Sequence, residues 1–327
     1  MIRTTVAHLH VAALSHPGMA GKQNEDRLAV SSYRLGENDA TRSVFAIVSD
    51  GIGGHRAGEV AAEMAVENIS HLVAQSDGSR PVEILDNAIQ VTSDEIAARG
   101  NDNTQRLGMG TTCACAWVIG DRLFTASVGD SRIYLLRDTH LLQLTVDHTW
   151  VQEAVEKGIL DPKDARNHPN VHVIRRYLGS TKPPQADIRM RLATNETDTQ
   201  SRSNQGLRLR PGDLLLLCTD GLTDVVENAE IAPAVRGLDL QAAAKALIDL
   251  ACARNARDNV TVVMMLVPWG EMQAKHALPI IKKRRKYWQW ALYGLASLIL
   301  LTLLIFELMW VIFHFIHPLI SIPIPTP

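Results

Sequence analysis

Acidic residues recur in this sequence where a run of apolar residues gives way to a turn. They are Glu25 and Asp26 in NEDR, Asp50 in VSDGIGG, Asp130 in SVGDSR, Asp220 and Asp224 in TDGLTD, and Asp258 in ARDNVT. A buried carboxylate is costly unless it is paired or binds a metal ion, and no matching run of Arg or Lys accompanies these acids. A single Asp-Gly step is usually only a turn, but this repeated pattern predicts a cation site.

The ligand chemistry of such a site indicates which metal it prefers. Carboxylate oxygens with few histidines favour Mg²⁺ or Mn²⁺ over zinc. The glycines that follow Asp50 fit the same interpretation, because a backbone carbonyl approaches a metal ion only where no side chain blocks it. A tight turn with no ligand remains the alternative for that stretch.

Composition is that of a globular protein with a large core. The 327 residues are 46% hydrophobic and 21% charged, and no low-complexity linker divides the first 270. The formal net charge is -2, and five bases are concentrated in KKRRK at 282–286, so the region before them is acidic. An acidic body is a poor binder of nucleic acid. Four cysteines without CxxC spacing predict reduced core thiols.

The elements that must position these acids alternate between strand-like and helix-like patterns. The predicted strands are 43–49, 111–119, 122–128, 132–137, 187–193, 213–218 and 260–267, and the predicted helices are 57–75, 81–99 and 240–254. A two-residue turn between 119 and 122 makes neighbouring strands antiparallel. Residues 194–206 lack large apolar side chains and predict a surface loop. The pattern indicates an α+β fold in which helices cover antiparallel sheets.

Seven stretches of the sequence, in order and spacing, resemble the motifs of the metal-dependent protein phosphatases of the PP2C type (PPM), in their bacterial form. They are NEDR (24–27), SDGIGGHRAGEVAA (49–62), GMGTTCACAWV (108–118), ASVGDSRIYLLR (126–137), HPNVHVIRRYLG (168–179), LRPGDLLLLCTDGLTDVV (209–226) and ARDNVTVVMM (256–265). The resemblance runs from about Ser15 to Val267. It implies a four-layer α-β-β-α sandwich of two antiparallel sheets with a two-metal site at one end.

The resemblance also implies a role for each acidic residue. Asp50 is expected to bridge two Mn²⁺ or Mg²⁺ ions, with Asp220 and Asp258 on the first ion. Glu25 and the carbonyl of Gly51 are expected to face the second ion. Asp26 is expected to hydrogen-bond waters on the metal ions. Asp130, with Asp224 nearby, matches the position that holds a weaker third ion in many relatives. Water activated at such a centre hydrolyses phosphate monoesters without a nucleophilic side chain.

Two positions depart from the family pattern. Many relatives have a phosphate-binding arginine where this chain has Gly21. The adjacent Lys22 is either its replacement or a solvated loop residue, and lysine lacks the bidentate fork of arginine. Animal relatives have a histidine where this chain has Ile52, and the nearby His55 is either a general acid or a residue that packs at the start of a helix. His148 and His168 are expected to be structural, and residues 150–185 correspond to a variable flap.

The C-terminal region predicts a membrane anchor. The 23 residues from Ala291 to Phe313 contain one charge, Glu307, and aromatic residues lie at both ends. This is the length of a transmembrane helix, and a buried core helix is rarely so long without a polar face. The basic run before it places the N-terminal domain in the cytoplasm. The predicted organisation is a phosphatase-like domain (1–270), a basic linker (271–286), a membrane-spanning region (287–316) and a short external tail (317–327).

The sequence therefore predicts a single-pass protein of the cell membrane that hydrolyses phosphoserine and phosphothreonine in proteins phosphorylated by a Ser/Thr kinase. The alternative is a catalytically silent, membrane-anchored domain that binds phosphoproteins as a scaffold. The missing arginine favours the alternative, whereas the complete set of acidic residues favours the enzyme.

Overall fold

The apolar runs of the sequence form the strands of two antiparallel sheets in a computed structural model, which describes residues 1–52 and 57–269. The first sheet has six strands in the order β1-β3-β4-β7-β8-β11, and the second has five in the order β10-β9-β12-β13-β2. A two-stranded ribbon pairs β5 with β6. The strands are β1 Ile2–Arg3, β2 His10–His16, β3 Arg27–Arg34, β4 Arg42–Ser49, β5 Gly51–Ile52, β6 Gly110–Thr111, β7 Cys113–Ile119, β8 Arg122–Val128, β9 Arg132–Arg137, β10 His140–Gln143, β11 Leu207–Arg208, β12 Leu214–Cys218 and β13 Val260–Leu266.

Helices cover the outer face of each sheet. α1 and α2 pack on the first sheet, and α7 and α8 pack on the second. The helices are α1 Ala57–Gln75, α2 Pro81–Asn101, α3 Trp150–Glu156, α4 Pro162–Ala165, α5 Asp198–Ser203, α6 Asp220–Thr223, α7 Asn228–Val235 and α8 Leu240–Ala253, with a 3₁₀ turn at Thr104–Arg106. The result is the predicted order of layers, helix, sheet, sheet, helix.

The central strand β4 shows why its sequence is continuously apolar. Phe45 and Ile47 face α1 and α2, whereas Val44, Ala46 and Val48 face the second sheet. Both faces of the strand are therefore buried, so polar and apolar residues do not alternate. The same sandwich interior contains residues of β12 and β13, which joins the two sheets into one core.

The structure confirms most of the predicted elements and corrects two. Residues 187–193 do not form a strand; Asp187 alone makes an isolated bridge to Ser127. The expected loop 194–206 contains α5, whose first turn is closed by a capping box between Thr197 and Gln200. Such a cap stabilises a short helix without any apolar periodicity, which is why the apolar pattern did not show it.

The predicted membrane-spanning region 287–316, the linker 271–286 and the tail 317–327 lie outside the described residues. Within residues 1–52 and 57–269, no helix has both the length and the apolar character needed to cross a membrane. The four cysteines are free thiols, as predicted, and three of them are buried.

Candidate metal centre

Strand register brings the predicted acids together at one end of the sandwich. In the first sheet Arg27 pairs with Ser49, so Asp26 and Asp50 lie next to each other just beyond the paired residues. In the second sheet Cys218 pairs with Arg132 on one side and with Val262 on the other. The residues before β9, after β12 and before β13 therefore meet at the same edge; they are Asp130, Asp220 and Asp258.

Hydrogen bonds from the neighbouring strand fix the backbone of Asp50. Its N–H donates to Oγ1 of Thr112 (2.9 Å), and its carbonyl accepts from the N–H of Thr112 (2.9 Å) and the hydroxyl of Thr111 (2.7 Å). The backbone polar groups are thus satisfied by Thr111 and Thr112. The carboxylate remains available to the cavity that Asp50 lines.

Glycine is required where the chain after Asp50 returns past this site. A Cβ on Gly51 would lie 2.3 Å from the carbonyl oxygen of Gly58, and a Cβ on Gly58 would lie 2.7 Å from the carbonyl carbon of Gly51. Neither distance is possible for a real side chain. The two glycines therefore let the backbone after Asp50 pass close to the start of α1, next to the carboxylate of Glu25.

Two adjoining cavities open onto the acidic residues. The larger, about 1810 Å³, is lined by seven of the predicted site residues: Lys22, Glu25, Asp50, Gly51, Asp220, Asp224 and Asp258. The smaller, about 550 Å³, shares Asp220 and Asp224 with the first and adds Asp130. Asp26 is buried behind them, where it accepts a hydrogen bond from Thr219 (2.8 Å). His55 lies outside the described residues.

Electrostatics at this edge are unfavourable for carboxylates alone. Burial, followed by repulsion from neighbouring acids, raises the pKa of Asp26 and of Asp220 to about 7. The same causes raise the pKa of Asp50 and of Asp130 well above the ordinary value. Burial also raises the pKa of Asp224, although His172 and other bases oppose the shift. The net upward shifts show that the positive charges nearby do not fully compensate the anionic forms of these carboxylates.

The acidic residues fit hard divalent cations. Among the described residues, Oδ1 of Asp26, Oδ1 of Asp130 and Oδ1 of Asp220 are buried without a hydrogen-bond partner. Elsewhere the same strands compensate their acids with arginine: Arg132 contacts Asp147 and Arg137 contacts Asp213, both at 2.6 Å. Unpartnered carboxylate oxygens that converge from several strands are the ligands that Mn²⁺ and Mg²⁺ prefer.

His172 is a site residue that the sequence did not reveal. Its Nδ1 lies 3.4 Å from Oδ2 of Asp224. One ligand atom from each of His172, Asp220 and Asp224 lies within 4.8 Å of the others, which is close enough to hold one ion. The residue belongs to the segment 150–185, far from the aspartates in sequence, and the single available signal was the HPNVHVIRRYLG motif itself. His168, in the same motif, instead stacks on Trp150.

Comparison with known proteins gives a consistent result. A family model described as Protein phosphatase 2C matches residues 19–251. The chain is 34% identical over 265 residues to the serine/threonine protein phosphatase PstP of Mycobacterium tuberculosis, covering 81% of this chain but 46% of that protein. It is 31% identical over 262 residues to the serine/threonine phosphatase stp of Listeria innocua, covering 79% of this chain and 95% of that one. The chain thus spans about half the length of the mycobacterial relative and nearly all of the listerial one.

A solved structure resembles the described domain as well. The catalytic domain of PstP in complex with two manganese ions matches with a TM-score of 0.64 and 33% identity. The match covers 79% of this chain and 97% of that domain. The fold of the described domain therefore also occurs in a relative whose structure holds two manganese ions.

Proposed function

Because the chain belongs to the protein phosphatase 2C family, we propose that it hydrolyses phosphoserine and phosphothreonine in proteins at a centre of two Mn²⁺ or Mg²⁺ ions. The observation that carries the proposal is the edge where buried aspartate oxygens converge without hydrogen-bond partners among the described residues. Cations are the partners that such oxygens need, and membership of the family indicates which reaction the metal centre catalyses.

The acidic residues divide into ligands of each ion. The family resemblance implies that Asp50 would be shared by the two ions, and the repulsion that Asp220, Asp26 and Asp130 exert on its carboxylate is consistent with a position among the other acids. Asp220 and Asp258 would hold the first ion, and Glu25 with the carbonyl of Gly51 would hold the second. A third, weaker ion would be held at the smaller cavity by Asp130 and Asp224, with His172 as an additional ligand.

A pair of bound divalent ions supplies a water of lowered pKa and neutralises the charge of the phosphoryl oxygens. The protein places the substrate and controls the water. Asp26, buried and hydrogen-bonded to Thr219, presents an oxygen that has no hydrogen-bond partner in residues 1–52 and 57–269 and that would accept a hydrogen bond from a water on the ions. Lys22 lines the larger cavity beside Glu25 and is the candidate for binding the phosphate in place of arginine. A solvated loop position remains the alternative for Lys22, and the role of His55 as general acid stays a prediction.

The proposal includes location and substrates. The basic run 282–286 and the apolar region 287–316 support a single-pass protein whose catalytic domain faces the cytoplasm. Its substrates are then phosphoproteins produced by a Ser/Thr kinase and met at the membrane surface.

A metal-dependence assay tests the proposal. The full-length protein should release phosphate from a phosphothreonine peptide when Mn²⁺ or Mg²⁺ is present, and exhaustive chelation should stop the reaction reversibly. Full turnover after chelation would overturn the metal centre. A protein that binds Mn²⁺ and phosphopeptide without turnover would instead be the scaffold, the alternative favoured by Gly21 in place of arginine.

A further inference from the structure

His148 lies at the base of the segment that covers the smaller cavity. It follows β10, precedes α3 and is 3% exposed. Its carbonyl accepts a hydrogen bond from the N–H of Arg175 (2.7 Å), and its N–H donates to the carbonyl of Gly129 (2.9 Å). The backbone of His148 therefore joins the turn that precedes Asp130 to the segment that carries His172.

Hydrogen bonds to the imidazole define its protonation. The N–H of Gly129 donates to Nδ1 of His148 (3.0 Å), so Nδ1 must carry a lone pair. Nε2 lies 3.0 Å from Oδ2 of Asp187 and therefore carries the proton that it donates to that carboxylate. Asp187 is held in turn by Arg189, at 2.6 Å, and is 6% exposed. The ring is thus a neutral bridge between Gly129 and the Asp187–Arg189 pair.

The backbone of Gly129 is tightly constrained by its conformation and by its neighbours. Its φ is +101°, a conformation that side chains disfavour, and a Cβ there would lie 2.6 Å from Cγ2 of Thr112. Thr112 is the residue that fixes the backbone of Asp50, and its Oγ1 lies 2.7 Å from Oγ of Ser131. The turn from Gly129 to Ser131 is therefore held between Thr112 on one side and His148 on the other.

We propose that His148 is a positioning residue: through Nδ1 it fixes the Gly129–Asp130 turn and so aims the carboxylate of Asp130 into the smaller cavity. Oδ1 of Asp130 is buried there without a hydrogen-bond partner among the described residues, so no hydrogen bond to that atom fixes its direction and the conformation of the turn gains importance. The inference rests on the proposed function, in which Asp130 is a ligand of the weakest ion. In this proposal the hydrogen-bond acceptor at Nδ1, rather than the volume of the ring, holds the turn in place.

Two substitutions separate the two sides of the imidazole. His148→Asn places an amide oxygen near the position of Nδ1 and keeps an acceptor for the N–H of Gly129. His148→Gln places its amide near the position of Nε2, so it keeps the contact with Asp187 and loses the acceptor. Both remove the ring, and each leaves one buried group without its partner. They form a matched pair, and thermal melting of each variant measures the general loss of stability.

Calorimetric titration of the metal-free, full-length protein with Mn²⁺ is the readout. We expect His148→Gln to weaken the weakest Mn²⁺ site about tenfold, the lower end of the effect of groups that orient metal ligands. His148→Asn should restore that affinity to within about threefold of wild type. Equal weakening in both variants, or none in either, would overturn the inference. If the wild-type protein binds no Mn²⁺, the proposed metal centre itself fails, and the role of His148 fails with it.

A measurement on the wild-type protein does not depend on whether the variants fold. Long-range ¹H–¹⁵N NMR correlations distinguish the two tautomers of a neutral imidazole. For His148 of the metal-free protein at neutral pH we expect an unprotonated Nδ1 and a protonated Nε2. A proton on Nδ1 would exclude the hydrogen bond from Gly129 and overturn the inference whatever the titrations give.

Discussion

Asp50 and Thr112 form two hydrogen bonds with each other. The N–H of Asp50 donates to Oγ1 of Thr112, and the N–H of Thr112 donates to the carbonyl of Asp50, each at 2.9 Å. Thr112 is fully buried. The hydroxyl also contacts Ser131, beside Asp130. One threonine thus links the proposed bridging aspartate to the strand connection that carries the third-ion ligand.

Thr112→Val tests this link because it keeps the shape of the side chain and removes the hydroxyl. The buried N–H of Asp50 then lacks its acceptor, which we expect to destabilise the protein by about 1–3 kcal/mol. Turnover should fall as well, since Asp50 is no longer fixed. Thr112→Ser keeps the hydroxyl and is the control. Equal denaturation midpoints and equal turnover in both variants would show that the hydroxyl does not hold Asp50.

Asp50→Asn separates the effect of the acidic site on stability from its effect on turnover. Removing a metal ligand should lower turnover by more than about a hundredfold, since even groups that only orient ligands are worth about 10–100-fold. The same change should raise the melting temperature of the metal-free protein, because burial and repulsion from Asp220 and Asp26 disfavour the charge of Asp50. Differential scanning calorimetry after chelation measures this stabilisation.

The control for that experiment is a buried aspartate that has its own cation. Asp213 is 2% exposed and accepts hydrogen bonds from Arg137 and from the N–H of Arg210. Asp213→Asn should therefore destabilise the metal-free protein, by about 1–3 kcal/mol, while turnover stays near wild type. Shifts of the same sign in Asp50→Asn and Asp213→Asn would contradict the view that the site acids lack a compensating charge.

The positions of the acidic residues could be predicted from the sequence, whereas the contacts of the segment around residues 148–187 could not. Each acid follows or precedes a buried strand, so the register of the strands determines where Asp50 and Asp220 meet. The apolar pattern already revealed those strands. His172 and His148 belong to a segment without periodicity, and their partners Asp224 and Asp187 are distant in sequence. Long-range contacts of that kind leave no local pattern, and the wrong strand at 187–193 arose in the same region.

Stability of the metal-free protein should depend on pH with a defined sign. Burial raises the pKa of Asp26 and of Asp220 to about 7 in the folded state, against an ordinary value of about 4 in the unfolded chain. The folded state thus binds more protons between these values, and its stability is greatest at the acidic end and falls as pH rises to about 7. Thermal melts after chelation, from pH 5 to pH 8, measure the slope attributable to the site.

Mn²⁺ should reverse that trend, because it binds the deprotonated carboxylates. The rise in melting temperature on adding Mn²⁺ should therefore increase from pH 5 to pH 8. Each 1 kcal/mol of binding free energy raises the midpoint by about 2–4 °C in a domain of this size. Asp50→Asn is the control, since it should lose most of the rise. A Mn²⁺ effect that is independent of pH would show that these aspartates are not the ligands.

Deletion of residues 282–327 tests whether tethering selects the substrates. About 15 residues separate the end of β13 at Leu266 from the basic run, and a chain of that length would reach about 5–6 Å times the square root of its length if it behaved as a random coil. On the proposed membrane anchoring, the active site would then stay within a few tens of ångströms of the membrane and meet membrane-bound phosphoproteins at a raised effective concentration. We expect the truncated protein to hydrolyse a free phosphopeptide at nearly the full-length rate, yet to dephosphorylate a membrane-bound substrate more slowly in cells.

Quantitative phosphoproteomics at matched protein abundance measures this difference, with Asp50→Asn in the full-length chain as the inactive reference. If the truncated and full-length proteins restore the same phosphorylation state, the C-terminal region does not determine which substrates are reached.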